Sequence, residues 1–509
     1  MGRVLTNNTS LQVAEEETIG VLPTSPTWYT LEPNSVGSYG ATITTTPRSP
    51  ISRSRQRRKG SITDLDSAVE FEADLTLDHW RRFVESFVFA SATNRIISFA
   101  AADTSATGFT VPALVAAQVD LLAYAATGAK SLFHAAGYAI DSNNGLKVLD
   151  AAPVIAGTTL DVSPAPTVET AAANSILDIA GVRAVTGDLA LSITGTTGTL
   201  TSQNNSVLPA DSVDFTAIGL TVGQMIHIGG LDAGTRFTAA NYGYARITAI
   251  ASAELSLDRL DASLADSAGT GVAVDLLFGQ FIRNVRSDND DYLERSFTFE
   301  ETWVGNATNG DDTFEYAKGN LCNTMALNLP LADKVTMSFA FIGTDSEPPT
   351  TTRATNADTP VAPLETGAFN TTSDCVRMRI AEVDESGIYT DFKSITFTFN
   401  NNVSPEKVLC NLGAKYMNFG NFEVDIETQV LFADPRIPEA IRQNRTVSFA
   451  LGLKNDDGCV YLDIPSATLG GGGRELPVNE SVLINLTIQA FEDPILKTSI
   501  GVSIFPVVP

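Results

Sequence analysis

A strand with one acidic face, followed directly by an amphipathic helix, occurs twice in this chain of 509 residues. In the first copy, residues 69–75 alternate apolar and acidic side chains, so an extended strand puts carboxylates on one face and a packing surface on the other. Apolar residues at helical spacing follow at 80–88, behind Thr76 and Asp78 as capping residues. The carboxylates of this first strand are Glu70, Glu72 and Asp74.

The second copy lies more than 300 residues further along the chain. Residues 422–427 alternate in the same way, and a short helix is predicted at 438–444. Predicted strands at 297–303 and 395–399 also have a similar order of apolar and Thr residues, which suggests a second repeated pattern. Repeats at this scale indicate two copies of one domain. The carboxylates of the second acidic strand are Glu423, Asp425 and Glu427.

The fold class predicted from these patterns is mainly β. The composition is 43% hydrophobic and 18% charged, and it is rich in Thr, Ser, Ala, Gly and Val, as in β-dominated proteins. We expect two tandem β-barrels or sandwiches, each with one short helix, plus an inserted pair of small β domains. The predicted bounds are 1–98 and 283–345 for barrel 1, 99–190 and 191–282 for the inserted domains, 346–371 for a Pro- and Thr-rich linker, and 372–509 for barrel 2.

The net charge and the spacing of the cysteines exclude several classes of function. The chain has 33 Lys and Arg against 59 Asp and Glu, a formal charge of −26, which argues against tight binding of nucleic acid through its phosphates. The four cysteines are widely spaced, which favours reduced thiols over a disulfide frame or a zinc site. The sequence shows neither a signal peptide nor a membrane span, so we expect a soluble protein of the cytoplasm.

The order of predicted strands and loops in residues 27–75 resembles the N-terminal part of the proteins of one known family. An aromatic-led strand with Trp28 and Tyr29 is followed by a Thr-rich strand, a basic hairpin loop, and then the acidic strand with its helix. This series is similar to the tail tube, or major tail, proteins of long-tailed, siphovirus-like bacteriophages. The resemblance implies two tail-tube-type barrels whose sheets join those of neighbouring chains into a ring, with a trimer favoured and a hexamer as the alternative.

The same resemblance implies a structural role and no enzyme activity or cofactor. The chain is expected to polymerise as stacked rings that form the hollow channel for DNA ejection. Its implied partners are further copies of itself, a tape-measure protein, the tail terminator and distal tail proteins, and double-stranded DNA that passes without tight binding. No membrane contact is implied, and the expected location is the virion tail, after assembly in the host cytoplasm.

Two sets of charged residues are candidate sites. The six carboxylates of the two acidic strands are predicted to line the lumen, where they repel DNA phosphate, but alternation by itself also fits a solvated outer face. The basic loop is predicted to dock on the next ring, while contact with nucleic acid and a flexible loop without a partner are the alternatives. The basic residues are Arg48, Arg53, Arg55, Arg57, Arg58 and Lys59.

The remaining motifs favour no chemistry. The histidines, His79, His134 and His227, have no carboxylate or cysteine at metal-ligand spacing. The Gly470–Gly473 run lacks the Lys-Ser/Thr of a phosphate loop and is interpreted as a flexible hairpin tip. The main alternative function is a virion or cell-surface decoration protein with immunoglobulin-like β modules that bind carbohydrate or protein. An enzyme acting on polysaccharide would need paired carboxylates in a concave site, and no motif indicates one.

Overall fold

The computed structural model describes most of the chain. The described residues are 6–24, 26–51, 53, 56–203, 211–305, 310–354, 360–382, 387–388, 391–432, 435–476, 478–479 and 481–509. Strands dominate this part, which confirms the mainly β prediction, and its three helices are α1 (Leu77–Val88), α2 (Ala116–Asp120) and α3 (Arg436–Arg442).

Thirty-one strands are present in the described residues. The N-terminal strands are β1 (Thr9–Glu15), β2 (Tyr29–Leu31), β3 (Pro33–Arg48) and β4 (Arg58–Asp74). The next are β5 (Phe99–Ala100), β6 (Gly108–Thr110), β7 (Lys130–Ala136), β8 (Gly145–Leu149), β9 (Thr159–Ser163), β10 (Ile176–Arg183), β11 (Leu189–Thr194), β12 (Thr197–Ser202), β13 (Met225–Ile228), β14 (Gly243–Ala251), β15 (Glu254–Asp258), β16 (Asp275–Leu277) and β17 (Gln280–Arg283). The last are β18 (Ser296–Trp303), β19 (Thr313–Leu329), β20 (Thr336–Gly343), β21 (Asp345–Ser346), β22 (Cys375–Glu382), β23 (Gly387–Ile388), β24 (Phe392–Asn400), β25 (Ser404–Glu406), β26 (Tyr416–Asn418), β27 (Glu423–Leu431), β28 (Thr446–Asn455), β29 (Gly458–Glu475), β30 (Leu483–Ala490) and β31 (Gly501–Phe505).

The first of two compact units contains residues 1–89, 293–363 and 395–426. Its antiparallel strands pair in the order β2, β1, β18, β19, β20, β4 and β3. The long strand β19 changes neighbours along its length. It pairs with β18 over its first half, and residues 324–329 of its second half pair with residues 395–400 of β24.

Helix α1 covers one face of this sheet. It begins after Thr76, whose Oγ1 accepts a hydrogen bond from the backbone N–H of His79 at 3.3 Å, so the predicted cap is present. The apolar stripe of α1 packs on aromatic rings of the sheet, with Phe83 centred 5.1 Å from Phe339 and 6.0 Å from Phe71. The aromatic cluster consists of Phe71, Phe83, Phe87, Phe297, Phe299, Phe339 and Phe341, all buried.

The second unit contains residues 90–292, 364–394 and 427–509. Strands from both predicted inserted domains form one sheet in the order β11, β12, β15, β14, β13, β16, β10, β7, β8, β9 and β6, with β5 beside β10. Two histidines occupy similar places in this sheet. His134 lies on β7 between β8 and β10, and His227 lies on β13 between β14 and β16.

The C-terminal strands repeat the pairing of the first sheet. Strands β22, β28, β29, β30, β27 and β24 pair in the same sequence as β1, β18, β19, β20, β4 and β3. Their order along the chain also corresponds, with α3 after β27 as α1 follows β4. We call these two sets the first module and the second module. The predicted helix at 438–444 is observed as α3, two residues earlier.

Two details of the sequence prediction are corrected. The strands with similar Thr and apolar order are β18 and β24, but they do not occupy equivalent places, because β28 corresponds to β18 and β3 corresponds to β24. Alternating strands have similar sequences wherever one face is buried, so that likeness reports burial and not position. The sheets of the described chain are also open, so the predicted barrels are not closed within one chain.

A buried ion-pair network joins β14 and Arg259, the residue after β15, to β29. The Asp463 carboxylate, 2% exposed, accepts a hydrogen bond from Arg246 Nη1 at 2.9 Å and is paired with Arg259. The Arg246 guanidinium also donates to both carboxylate oxygens of Asp258. Since each buried charge has an opposite partner, this contact resists separation of the strands.

Replacing Asp463 with Asn is expected to destabilise the second unit by about 3 kcal/mol or more, because two buried guanidiniums lose their shared carboxylate. The denaturant midpoint of the full chain measures this loss. Glu254→Gln on the exposed start of β15 is the matched control, and it should change stability by less than about 0.5 kcal/mol. Equal midpoints for both variants would contradict the structural importance of the network.

Candidate functional site

The face of the first module opposite α1 carries carboxylates on β4 and neutral side chains on the neighbouring strands. The three carboxylates of β4 stand on the face opposite α1, since their neighbours Val69, Phe71 and Ala73 are buried. Cross-strand partners extend this face across β20, β19 and β24. The three lateral rows are Glu70–Ala340–Thr324–Asn400, Glu72–Ser338–Ala326–Thr398 and Asp74–Thr336–Asn328–Thr396. We call this surface the acidic face, and none of its three rows contains a basic residue.

Asp74 is held more firmly than the other two carboxylates. Lys334 Nζ lies 2.8 Å from its Oδ2, and Asn34 Nδ2 donates to its Oδ1 at 2.5 Å. Partial desolvation raises the pKa of Asp74, but the hydrogen bonds from Lys334 and Asn34 outweigh it, so the net pKa is lowered. Asp74 therefore remains ionised at the end of the face where the β19–β20 turn supplies the cation.

The Lys334 contact gives a testable pH dependence. Because the folded-state pKa of Asp74 is lowered, the pair stabilises the fold at neutral pH, and this contribution is lost as pH falls through the folded pKa. Lys334→Met should raise the pKa of Asp74, measured by carboxyl-carbon NMR with Asp74→Asn identifying the signal. Lys407→Met is the control, because Lys407 contacts other carboxylates. A pKa of Asp74 that is equal in both lysine variants would contradict the assignment.

The second acidic strand, β27, alternates as predicted. Glu423 and Glu427 are exposed and Asp425 is half-buried, while Val424 and Ile426 between them are buried. Strand β30 pairs with β27, and its exposed positions carry Asn485, Thr487 and Gln489, again without a basic side chain. Both acidic strands are therefore flanked by neutral polar residues.

The outer half of the β3–β4 hairpin contributes no core. Residues 42–48 of β3 are all exposed, and so are most residues of β4 between 58 and 63. Ile43 and Ile62 are 53% and 56% exposed on this projecting hairpin, which we call the arm. The described basic residues of the arm, Arg48, Arg53, Arg57, Arg58 and Lys59, are all exposed, whereas Arg55 lies outside the described residues.

The tip of the arm, near Arg48 and Arg58, and its base, near Asp64 and Asp66, differ in charge and in contacts. At the tip, Arg48 stands directly opposite Arg58, an unfavourable cross-strand pairing of like charges. At the base, Lys407 Nζ lies 2.7 Å from Asp64 Oδ1 and 2.6 Å from Asp66 Oδ1. The hydrogen bond from Lys407 lowers the pKa of Asp64. At the base, two carboxylates thus share one cation of the same chain, while the charged side chains of the tip are all basic.

The histidines, the cysteines and the glycine run considered in the sequence analysis have contacts typical of structural residues. His79 lies in the first turn of α1, where its Nδ1 is 3.1 Å from Thr76 Oγ1. Burial lowers the pKa of His227 to about 4, and the Nδ1 of His227 lies 2.9 Å from the carbonyl oxygen of Gly229. Within the described residues no group of three or more His, Cys, Asp or Glu side chains is placed to hold a metal ion. The four cysteines form no disulfide. The glycine run is not a hairpin tip, because it lies within β29.

The sequence analysis did not identify the lysines that pair with the carboxylates or the neutral residues beside the acidic strands. Lys334 and Lys407 are far from their carboxylate partners in sequence, so no local pattern identifies them. The neutral rows beside the acidic strands were equally hidden, since they depend on which strands pair. The alternation of Thr, Ser and Ala in β20 and β24 was the one available signal.

These features define a class: a mainly β protein with one acidic strand per module and a projecting basic arm. A family model described as phage tail tube protein matches residues 248–490, which contain most of the second module and strands β18 to β20 of the first. This match, which covers a little under half of the chain, confirms the resemblance drawn from residues 27–75 from a different part of the sequence. The similarity supports a structural role in a virion tail. No curated protein matches the sequence.

No helix in the described ranges is long and apolar enough to cross a membrane.

Proposed function

We propose that this chain is the subunit of a hollow tail tube, in which rings of identical chains stack and the acidic face lines the channel. The three lateral rows carry the proposal. A channel wall for DNA needs carboxylates that repel phosphate and no cation that would hold it, and the rows from β4 to β24 combine acidic with small neutral side chains. The face can therefore guide a duplex without binding it.

The second module extends the same surface in the proposed ring. Glu423, Asp425 and Glu427 repeat the acidic strand beside the neutral exposed positions of β30. Two modules per chain favour a ring of three chains with six modules, and a ring of six chains is the alternative. The open sheets of the single chain support this arrangement, since unpaired edges are available for neighbouring chains.

The arm is proposed to connect successive rings. Its tip carries clustered cations on a chain whose net charge is −26, so an acidic surface of the next ring is its complementary partner. A carboxylate inserted between Arg48 and Arg58 would relieve their mutual repulsion. The exposed Ile43 and Ile62 add apolar area that only an assembled partner would cover.

The proposed role is assembly and passive guidance, without enzymatic turnover. A tape-measure protein would occupy the lumen before DNA enters, and tail terminator and distal tail proteins would contact the two ends. Assembly of these components is proposed to take place in the host cytoplasm.

Electron microscopy of the purified full-length protein tests this function. The expected result is hollow tubes with a regular axial repeat and end views that average with three-fold symmetry and six modules. Solid filaments, or particles that remain monomeric at every concentration, would contradict the proposal.

A further inference from the structure

The glycine run of β29 lies on a strand edge that has no partner in the described part of the chain. Strand β28 pairs with β29 up to Thr468, and β30 occupies the opposite edge from Ala467 to Glu475. Residues 470–475 therefore have one paired edge and one open edge. Glycine in a strand often marks a place where another backbone approaches closely, and an open edge can accept an added strand.

The equivalent edge of the first module is already occupied. Strand β18 pairs with β19 as far as Leu321, the residue at which β20 begins to pair on the other side. Beyond this changeover, residues 324–329 pair with β24 in antiparallel register, from Thr324 opposite Asn400 to Leu329 opposite Ile395. Counted from the corresponding changeover in β29, residues 470–475 match residues 324–329.

The strand that could fill the open edge is β3. It occupies in the first module the place of β24 in the second, and among the described strand registers it pairs with β4 alone, so its other edge is open. Val36 on β3 stands opposite the buried Phe71, yet it is 46% exposed. Phe397, on the apolar face of β24, is fully buried because strands lie on both sides of β24. The exposure of Val36 is the mark of a missing neighbour.

We propose that residues 470–475 of β29 accept β3 from a second copy of this chain, in the antiparallel arrangement that β24 makes with β19. This inference rests on the proposed tube function and identifies the edges that close the ring. Each chain has one donor strand and one acceptor edge, so the contact is head-to-tail and closes when the last chain returns to the first. The pairing of β19 with β24 within one chain and the pairing of β29 with β3 of the next chain would then have the same structure.

Cysteine cross-linking of the full chain tests the pairing. Gly473 has open space around an added Cβ and stands opposite the exposed Asn485, whereas Ser35 and Ser38 stand opposite Glu72 and Glu70 on the acidic face. Double variants Gly473→Cys with Ser35→Cys or Ser38→Cys, with the exposed Cys410 replaced by Ser, should form disulfide-linked dimers and trimers under assembly conditions. The matched control is Thr487→Cys with the same Ser35→Cys or Ser38→Cys, because Thr487 is exposed on the same face but one strand further from the edge.

Amide hydrogen exchange of the wild-type protein provides a second measurement. Residues 33–41 and 470–475 should become protected when rings form, by at least about tenfold in exchange rate. Rings that form with no cross-link in either double variant and no added protection would overturn the edge pairing while leaving the tube function intact. Cross-linking of the Thr487 control as strongly as of the Gly473 variants would also overturn it. If no ring or tube forms at all, the proposed function fails, and this inference fails with it.

Discussion

Replacing residues 49–57 with an Asn-Gly turn is expected to leave the subunit folded and to abolish the stacking of rings into tubes. Residues 49–57 connect the exposed ends of β3 and β4, which pack on no core, so the loss of this segment removes little folding energy. The proposed contact with the next ring, in contrast, depends on the cations of the arm tip. Electron microscopy should show single rings and no tubes, while the denaturant midpoint stays near that of the wild type.

Two comparisons separate charge from length in this experiment. A full-length variant with Arg48, Arg53, Arg57 and Arg58 changed to Ser keeps the loop and removes its described arginines. It should also fail to stack, and wild-type tubes should shorten as salt approaches 1 M, where the screening length falls to roughly 3 Å. Normal tubes from the truncated arm would remove the inter-ring role. Stacking by the Ser variant alone would assign the contact to the backbone and apolar residues of the arm.

Changing Glu70 and Glu72 to Lys is expected to slow DNA ejection roughly tenfold without preventing tube assembly, because lysines in the channel would bind phosphate and release counterions. Asp74 is left unchanged in this variant, since its bond to Lys334 has a structural role. Ejection kinetics of virions assembled with the variant measure the effect. The equivalent change of Glu423 and Glu427 should behave likewise, because both are exposed on the second acidic strand.

The matched control places the same charge change elsewhere. Asp288 and Asp290 are exposed in the loop after β17, and their replacement by Lys alters the net charge equally. Ejection should then proceed at the wild-type rate. Unchanged kinetics in the Glu70 and Glu72 variant would place the acidic face outside the channel, as an ordinary solvated surface.

Local patterns were sufficient wherever a feature depends on neighbours along the chain. The alternation in β4 and β27 predicts which side chains are buried, because successive residues of a strand point to opposite faces. The Thr76 cap and the apolar stripe of α1 are likewise short-range features, and both are observed. The helix predicted after the second acidic strand is observed as α3, two residues earlier than predicted.

Strand pairing could not be obtained in the same way. The likeness between β18 and β24 suggested equivalence, but the hydrogen-bonding partners place β24 beside β19 and β27, in the position of β3. The glycine run was interpreted as a hairpin tip because glycine favours turns, whereas it forms part of a strand with one open edge. Period-two sequences are compatible with many registers, and tertiary contacts select among them.

The sequence by itself determined the mainly β character, the two acidic strands with their helices, the basic arm and the resemblance to tail tube proteins. Only the tertiary structure decided that neutral rows flank the acidic strands, that Lys334 and Lys407 form ion pairs with particular carboxylates, and that one edge of β29 and one edge of β3 remain open. The physical reason is range: side-chain periodicity is set by backbone geometry over a few residues, whereas neighbours in a sheet are chosen by packing between segments hundreds of residues apart.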